Sequence, residues 1–133
     1  MKKKEKIEPE EAIQRAIKEY EKAKPHYNSM VKCEDAVTES YINLGVAATE
    51  GACMLLTKKG IKVGKKRRKF ISQKLYELGK TDKKTKKISE DYTHIISHAS
   101  WIEYFGLDEL KEYIELTKKF VGNVRKIIGE EIR

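Results

Sequence analysis

With 133 residues and a formal net charge of +8, the chain is long enough to bury a core as one domain over residues 1–133, with residues 1–6 frayed. Apolar residues make up 39% of it and recur periodically, which excludes a disordered chain, and eight glycines and two prolines are too few turn signals for an all-β sandwich. No apolar stretch approaches the roughly 20 residues that span a bilayer, and the basic N-terminus leads into no apolar signal segment.

The apolar spacing predicts an all-α, up-and-down bundle of four or five helices with short connections. The first helix begins near Pro9, which suits a first helical position because its missing N–H has no partner there. Pro25 stops or kinks this helix. Residues 26–34 are then either a connector or a continuation of the helix past the kink.

The stretch from Asp35 to Lys59 is the least charged part of the chain and predicts a central helix. Small residues are dense among its large apolar ones, so neighbouring backbones can approach closely. Its apolar and small positions form one broad face: Val37, Tyr41, Leu44, Ala48, Ala52 and Leu55, widened by Ile42, Gly45 and Met54. A helix that is apolar around so much of its circumference is buried against several neighbours. Gly60 is the expected terminator.

A third helix is predicted from Lys65 to about Leu78, ended by Gly79. Its inner face consists of Phe70, Ile71, Leu75 and Leu78. The polar stretch that follows is a loop or a helix start, with Thr81 or Asp82 as candidate caps.

The fourth helix is predicted over residues 86–105 and ends before Gly106. The fifth helix starts near Asp108, a suitable N-cap, and has the clearest amphipathic pattern in the chain. No internal repeat or domain linker interrupts these elements, which favours one domain.

Cys33 and Cys53 lie near and inside the least polar stretch. Two cysteines are too few for a disulfide-built secreted domain, so we expect buried thiols and a cytoplasmic protein. The chain contains no glycine-rich phosphate loop, nucleophile elbow or zinc cysteine pattern. We therefore expect no cofactor, no resident metal and no catalytic residues, and whether the protein is an enzyme stays open, with the negative answer favoured.

The positive charge is concentrated between Lys58 and Lys87, where 14 Lys and Arg face only Glu77 and Asp82. The densest run consists of Lys65, Lys66, Arg67, Arg68 and Lys69. One interpretation is a solvated outer helix. The other is that segment 62–87 grips nucleic-acid phosphates, whose neutralisation releases counterions. Specific recognition would also need base-stacking groups, and only Phe70 and Tyr76 are interleaved with the charges.

His94 and His98 are four residues apart, so both imidazoles lie on one helical face, as a metal pair requires. The apolar stripes supply no second carboxylate–histidine set of the kind a di-iron bundle needs, which favours structural histidines at a helix seam. Glu50 is the only charge between Glu39 and Lys58. We expect it to face outward; the alternative is a buried general base with a pKa raised by burial.

The stretch from Ala47 to Leu56, AATEGACMLL, and the order of the helices around it resemble the small bacterial HEPN-like bundles. In that family a small-residue-rich second helix forms the hydrophobic centre. HEPN ribonucleases also carry an arginine followed four to six residues later by a histidine, and neither His94 nor His98 has an arginine at that distance before it. The resemblance therefore implies the bundle but not the ribonuclease activity. The chain is also similar to other short helical proteins of bacterial genomes, for which no activity is implied.

Our first functional hypothesis is a non-enzymatic interaction protein that forms a homo-oligomer through a helix face or binds a protein partner. The second is an RNA- or anion-binding module that uses segment 62–87. The third is a diverged HEPN-like nuclease centred on His94 and His98. None of the three involves a membrane.

Overall fold

The computed structural model describes residues 7–26, 34–64, 68–99 and 107–132, which form an all-α bundle of five helices with no strand among these residues. The predicted fold class is confirmed. The helices are α1 (Pro9–Ala23), followed by a 3₁₀ turn (Lys24–His26), α2 (Glu34–Lys58), α3 (Arg68–Gly79), α4 (Lys83–Ala99) and α5 (Leu107–Ile132).

α2 lies at the centre of the bundle, because it packs against each of the other four helices. Most of its predicted apolar face is confirmed: Tyr41, Leu44, Ala48, Ala52 and Leu55 are all buried. Ile42 was expected to widen this face, but its side chain is 45% exposed. Successive side chains of a helix point about 100° apart. Ile42 therefore points away from the buried Tyr41, toward a side of α2 that the neighbouring helices do not cover.

The end of α2 confirms the predicted role of Gly60, which has a φ of 83°. The Gly60 N–H donates to the Thr57 carbonyl at 3.0 Å, and the Ile61 N–H donates to the Leu56 carbonyl at 2.9 Å. These two bonds form a Schellman motif. Because side chains with a Cβ rarely adopt this φ, glycine stops the helix here at little conformational cost.

The other helix boundaries agree with the predictions within a few residues. α1 begins at Pro9 and α3 ends at Gly79, as expected. α4 begins three residues earlier than predicted. α5 begins at Leu107, so Asp108 is not the predicted N-cap; it lies in the first turn, where its charge suits the helix dipole. The predicted continuation of the fourth helix beyond residue 99 and most of the connector after α1 lie outside the described residues.

In the described part of the core, a pair of hydroxyl groups connects α2 and α4. The hydroxyls of Thr49 and Tyr92 are 3.3 Å apart, both residues are buried, and burial raises the pKa of the Tyr92 phenol. The Tyr92 ring lies next to Phe120 of α5, with the ring centroids 6.2 Å apart. Phe120 in turn approaches Gly51, where a Cβ would lie 3.2 Å from the Phe120 Cε1 atom. Gly51 of α2 therefore makes room for an aromatic side chain, whereas the density of small residues predicted a close approach of neighbouring backbones.

An ion-pair cluster connects α5 to the start of α1. The Arg125 guanidinium donates to both carboxylate oxygens of Glu10, at 2.8 and 2.9 Å, and to Glu8 at 2.8 Å. The hydrogen bond from Arg125 lowers the pKa of Glu10. All three side chains are largely exposed, so we expect a contribution to stability within the roughly 0.2–1 kcal/mol of surface ion pairs.

Candidate functional site

The basic run predicted from the sequence is only partly described. Lys65, Lys66 and Arg67 lie outside the described residues, whereas Arg68 and Lys69 form the first turn of α3 and are both exposed. The predicted solvated helix surface is therefore correct for these last two residues. Whether the run contacts nucleic acid stays a prediction.

The two aromatic residues of the basic segment have different environments. Phe70 is half-buried, and the Lys74 Nζ atom lies 5.6 Å from the centroid of its ring. Tyr76 is 64% exposed, and the Lys80 Nζ atom lies 5.2 Å from its ring centroid. A cation at this distance over a ring face is attracted by the ring quadrupole. The structure thus presents one aromatic ring to solvent among the lysines.

Tyr76 lies at the edge of a surface depression between α3 and α4, which we call the α3–α4 groove. It has a volume of about 530 Å³. Its lining residues are Tyr76, Gly79, Lys80, Thr81, Asp82, Lys83, Lys86, Ser89 and Glu90. Three lysines and two carboxylates therefore line the groove. How strongly the groove attracts an anion depends on whether these carboxylates are engaged in hydrogen bonds with the protein itself.

One of these carboxylates belongs to Asp82, which caps α4, and this decides between the two predicted caps. Its Oδ1 atom accepts a hydrogen bond from the Lys84 N–H at 3.1 Å, and its Oδ2 atom accepts one from the Thr85 hydroxyl at 2.7 Å. The Thr85 hydrogen bond is the main reason why the pKa of Asp82 is lowered. Because both oxygens serve the helix start, the Asp82 carboxylate has a structural role in the groove.

Gly79 allows α3 and α4 to pack close together at the groove. A Cβ at this position would lie 2.9 Å from the Lys86 Cα atom and 3.2 Å from the Lys86 N atom. Both are backbone atoms, so only glycine permits this separation without a shift of one helix. The width of the groove at its floor therefore depends on Gly79.

A second depression lies on the other side of α4, between α4 and α5, and we call it the α4–α5 cleft. It has a volume of about 220 Å³ and is lined by Lys84, Lys87, Ile88, Asn123, Lys126 and Ile127. Sequence reasoning missed Asn123 and Lys126, because they are distant from the basic segment. The available signal was a repeated spacing: Lys84, Lys87 and Ile88 are arranged along α4 as Asn123, Lys126 and Ile127 are along α5.

Two of the three side chains of the predicted polar site, Glu50 and His94, are described, and whether the three residues form a site stays a prediction. Glu50 is only 7% exposed, so the expectation that it faces outward is wrong, since α2 is covered by neighbours on several sides. His94 is exposed, and its ring lies edge-on to Tyr113 with centroids 5.4 Å apart. The His98 side chain lies outside what the structure describes. Over the described ranges, no three His, Cys, Asp or Glu side chains are grouped so that they could hold a metal ion.

Comparisons with known proteins identify no relative of the chain. No family model, no curated protein and no solved structure matches the chain. Within the residues that the structure describes, no helix combines the length and the apolar character needed to cross a membrane.

Proposed function

We propose that the protein binds single-stranded RNA through the α3–α4 groove and the basic residues around it. The observation that carries this proposal is Tyr76, an exposed aromatic ring beside three lysines of the groove: Lys80, Lys83 and Lys86. Proteins that bind single strands combine a positively charged groove with aromatic rings on which bases stack.

Tyr76 is unusual in its exposure among the large hydrophobic side chains that the structure describes. Ile42 and Tyr76 are the two large hydrophobic side chains exposed in the described part of the chain. In the protein without bound RNA, the charged Nζ atom of Lys80 lies over the Tyr76 ring. A base that stacked on Tyr76 would take over this position, and Lys80 would then be available to a phosphate next to the base.

The charge distribution supports the same ligand. The segment from Lys58 to Lys87 contains 14 cations against two carboxylates, whereas the rest of the chain is mildly acidic. Such an asymmetric charge distribution attracts a polyanion to the part of the molecule that carries this segment. Binding should weaken as salt rises, because each neutralised phosphate releases counterions.

The test is the anisotropy of a fluorescently labelled single-stranded RNA of about 12 nucleotides, within the usual range of site sizes, measured over a series of salt concentrations. Tyr76→Ala should weaken binding by about 5- to 150-fold, the value of one stacked base, whereas Tyr76→Phe should keep most of the affinity. Replacing Lys80, Lys83 and Lys86 with Ala should reduce the slope of log K against log salt by about 2, at roughly 0.7 per phosphate contact.

A charge-matched control is available on α1, which packs on α2 and α5. Replacing Arg15, Lys18 and Lys22 with Ala removes the same charge and should leave the salt slope unchanged. The proposal fails if the protein does not bind RNA at low salt, or if both triple variants reduce the slope equally. If Tyr76→Ala binds as tightly as the wild type, the stacking role fails.

Self-association, our first hypothesis from the sequence, now ranks second. The 45% exposure of Ile42 on the central helix favours it. One side chain supplies little of the roughly 800 Å² that each partner buries in a stable interface. Light scattering on the eluate of a sizing column tests this hypothesis: Ile42→Lys should shift a dimer toward the monomer, and a wild type that stays monomeric at high concentration contradicts it.

The likeness to HEPN-like bundles also stays a hypothesis, and with it the third candidate function. A nuclease centred on His94 and His98 would cleave the RNA in the binding assay. Gel analysis of that RNA after incubation provides the test: cleavage should disappear in His98→Ala, and cleavage that persists in this variant rules the assignment out.

A further inference from the structure

The two ends of the α3–α4 groove differ in their chemistry. Only residues 80–82 join α3 to α4, and helices with so short a connection run in opposite directions. The close approach of Gly79 to the Lys86 backbone fixes the register of the two helices. Tyr76 lies three residues before Gly79, and Glu90 lies four residues after Lys86. Both therefore lie about one helical turn farther from the connection.

An aromatic ring and a carboxylate thus form one end of the groove, and cations form the other. Tyr76 and Glu90 both line the groove and are exposed. Lys80 and Lys83 lie at the end next to the connection, and Lys86 lies between the two ends. A nucleotide whose phosphate contacts the lysines would place its base beside Tyr76 and Glu90.

Glu90 supplies the carboxylate that a ligand can reach. The other carboxylate of the groove, that of Asp82, already accepts hydrogen bonds from the Lys84 N–H and the Thr85 hydroxyl. No described residue forms a hydrogen bond or an ion pair with the Glu90 side chain. A carboxylate repels phosphate, and when ionised it accepts hydrogen bonds but donates none. The part of an RNA strand that Glu90 can bind is therefore a hydrogen-bond donor on a base.

We propose that Glu90 selects guanine, because its carboxylate accepts hydrogen bonds from the N1–H and N2–H groups of a guanine base stacked on Tyr76. The inference rests on the proposed function and deepens it. Single strands leave the Watson–Crick edges of their bases free, and only the guanine edge offers two adjacent donors to the two oxygens of a carboxylate. Adenine and cytosine each offer one amino group beside an acceptor nitrogen. The N–H of uracil lies between two carbonyl acceptors.

The size of the groove suits one nucleotide. Its volume of about 530 Å³ lies within the roughly 300–1,000 Å³ of small-ligand sites, and Tyr76 is the only aromatic residue among the described residues that line it. One base is therefore recognised, and its neighbours contribute through their phosphates. A bidentate contact to a base discriminates by about 5- to 150-fold. Because Glu90 is exposed to water, we expect the lower end of this range, about fivefold.

The test uses fluorescently labelled ribose-phosphate strands of about 12 nucleotides in which only the central nucleotide carries a base. All strands then have the same charge, and each has only one base that can stack. Anisotropy at low salt should show that the guanine strand binds about fivefold more tightly than the adenine, cytosine and uracil strands. Hypoxanthine keeps the N1–H of guanine but lacks its amino group, so this strand should bind less tightly than the guanine strand.

Glu90→Gln separates base recognition from charge. A carboxamide presents one donor and one acceptor, so it matches only one of the two guanine donors. Loss of a negative charge should strengthen the binding of every strand, whereas the preference for guanine should largely disappear. Glu77→Gln is the matched control, because Glu77 is an exposed residue of α3 that does not line the groove. It removes the same charge and should leave the preference for guanine unchanged.

Three results overturn the inference: equal binding of the four bases by the wild type, hypoxanthine binding as tight as that of guanine, or an undiminished guanine preference in Glu90→Gln. These outcomes are separable from that of the proposed function. Binding that depends on Tyr76 but shows no guanine preference refutes base recognition by Glu90 alone. A guanine preference that depends on Glu90 and survives in Tyr76→Ala refutes the stacking role alone, and absence of binding at low salt refutes both.

Discussion

Gly79 offers a direct test of how closely α3 and α4 pack. In Gly79→Ala the added Cβ would lie 2.9 Å from the Lys86 Cα atom, whereas carbon atoms in contact are normally about 3.5–4.0 Å apart. The shortfall is therefore roughly 0.6–1.1 Å. The obstructing atom is backbone and cannot rotate away, so one helix must move relative to the other.

The magnitude follows from two opposing effects. Inserting a methyl group into a tight contact typically costs about 1–3 kcal/mol. Replacing glycine in a helix returns up to about 0.5–1 kcal/mol through conformational entropy, and less at a terminal residue such as this one. The expected net loss is about 1–2 kcal/mol of the free energy of unfolding. For a domain of this size that lowers Tm by roughly 3–5 °C per kcal/mol.

Gly122→Ala in α5 is the matched control, because a Cβ there would meet no atom within 4 Å. This variant has only the conformational gain and should be more stable than the wild type by about 0.5–1 kcal/mol. Urea and thermal unfolding followed by far-ultraviolet circular dichroism measure both changes. The reasoning is refuted if Gly79→Ala is as stable as the wild type while Gly122→Ala shows its expected gain.

Two further changes test the remaining contacts. Arg125→Ala should lower the free energy of unfolding by about 0.5–1 kcal/mol at neutral pH. The pKa of Glu10 is lowered in the folded state, so the ion pair stabilises the fold fully at pH values above 4.5, the ordinary pKa of the Glu10 carboxyl. This stabilisation is lost as the pH falls through the lowered pKa that Glu10 has in the folded protein. The urea unfolding curves of the variant and the wild type should therefore converge in acid. Tyr92→Phe should cost about 1 kcal/mol, because it leaves the buried Thr49 hydroxyl without its partner across the helices; an unchanged urea midpoint would contradict this hydrogen bond.

The sites illustrate the limits of sequence reasoning. The basic segment was evident as a cluster of charge, but the sequence did not indicate which of its two aromatic rings is exposed. Phe70 and Tyr76 are six residues apart, and their different exposure depends on where α3 meets its neighbours. Nothing in the sequence around Asn123 and Lys126 marks them as site residues. They line a cleft only together with Lys84 and Lys87, which lie about forty residues earlier in the chain.

The sequence by itself determined the all-α class, the central position of α2, the start of α1 at Pro9 and the end of α2 at Gly60. These features follow from helical periodicity, small-residue density and backbone preferences, which act over a few residues. Only the tertiary structure decided that Glu50 is buried, that Ile42 and Tyr76 are exposed, and that a cleft opens between α4 and α5. A residue's burial depends on which arc of its helix a distant segment covers, and the residue's own neighbours in sequence do not specify that arc.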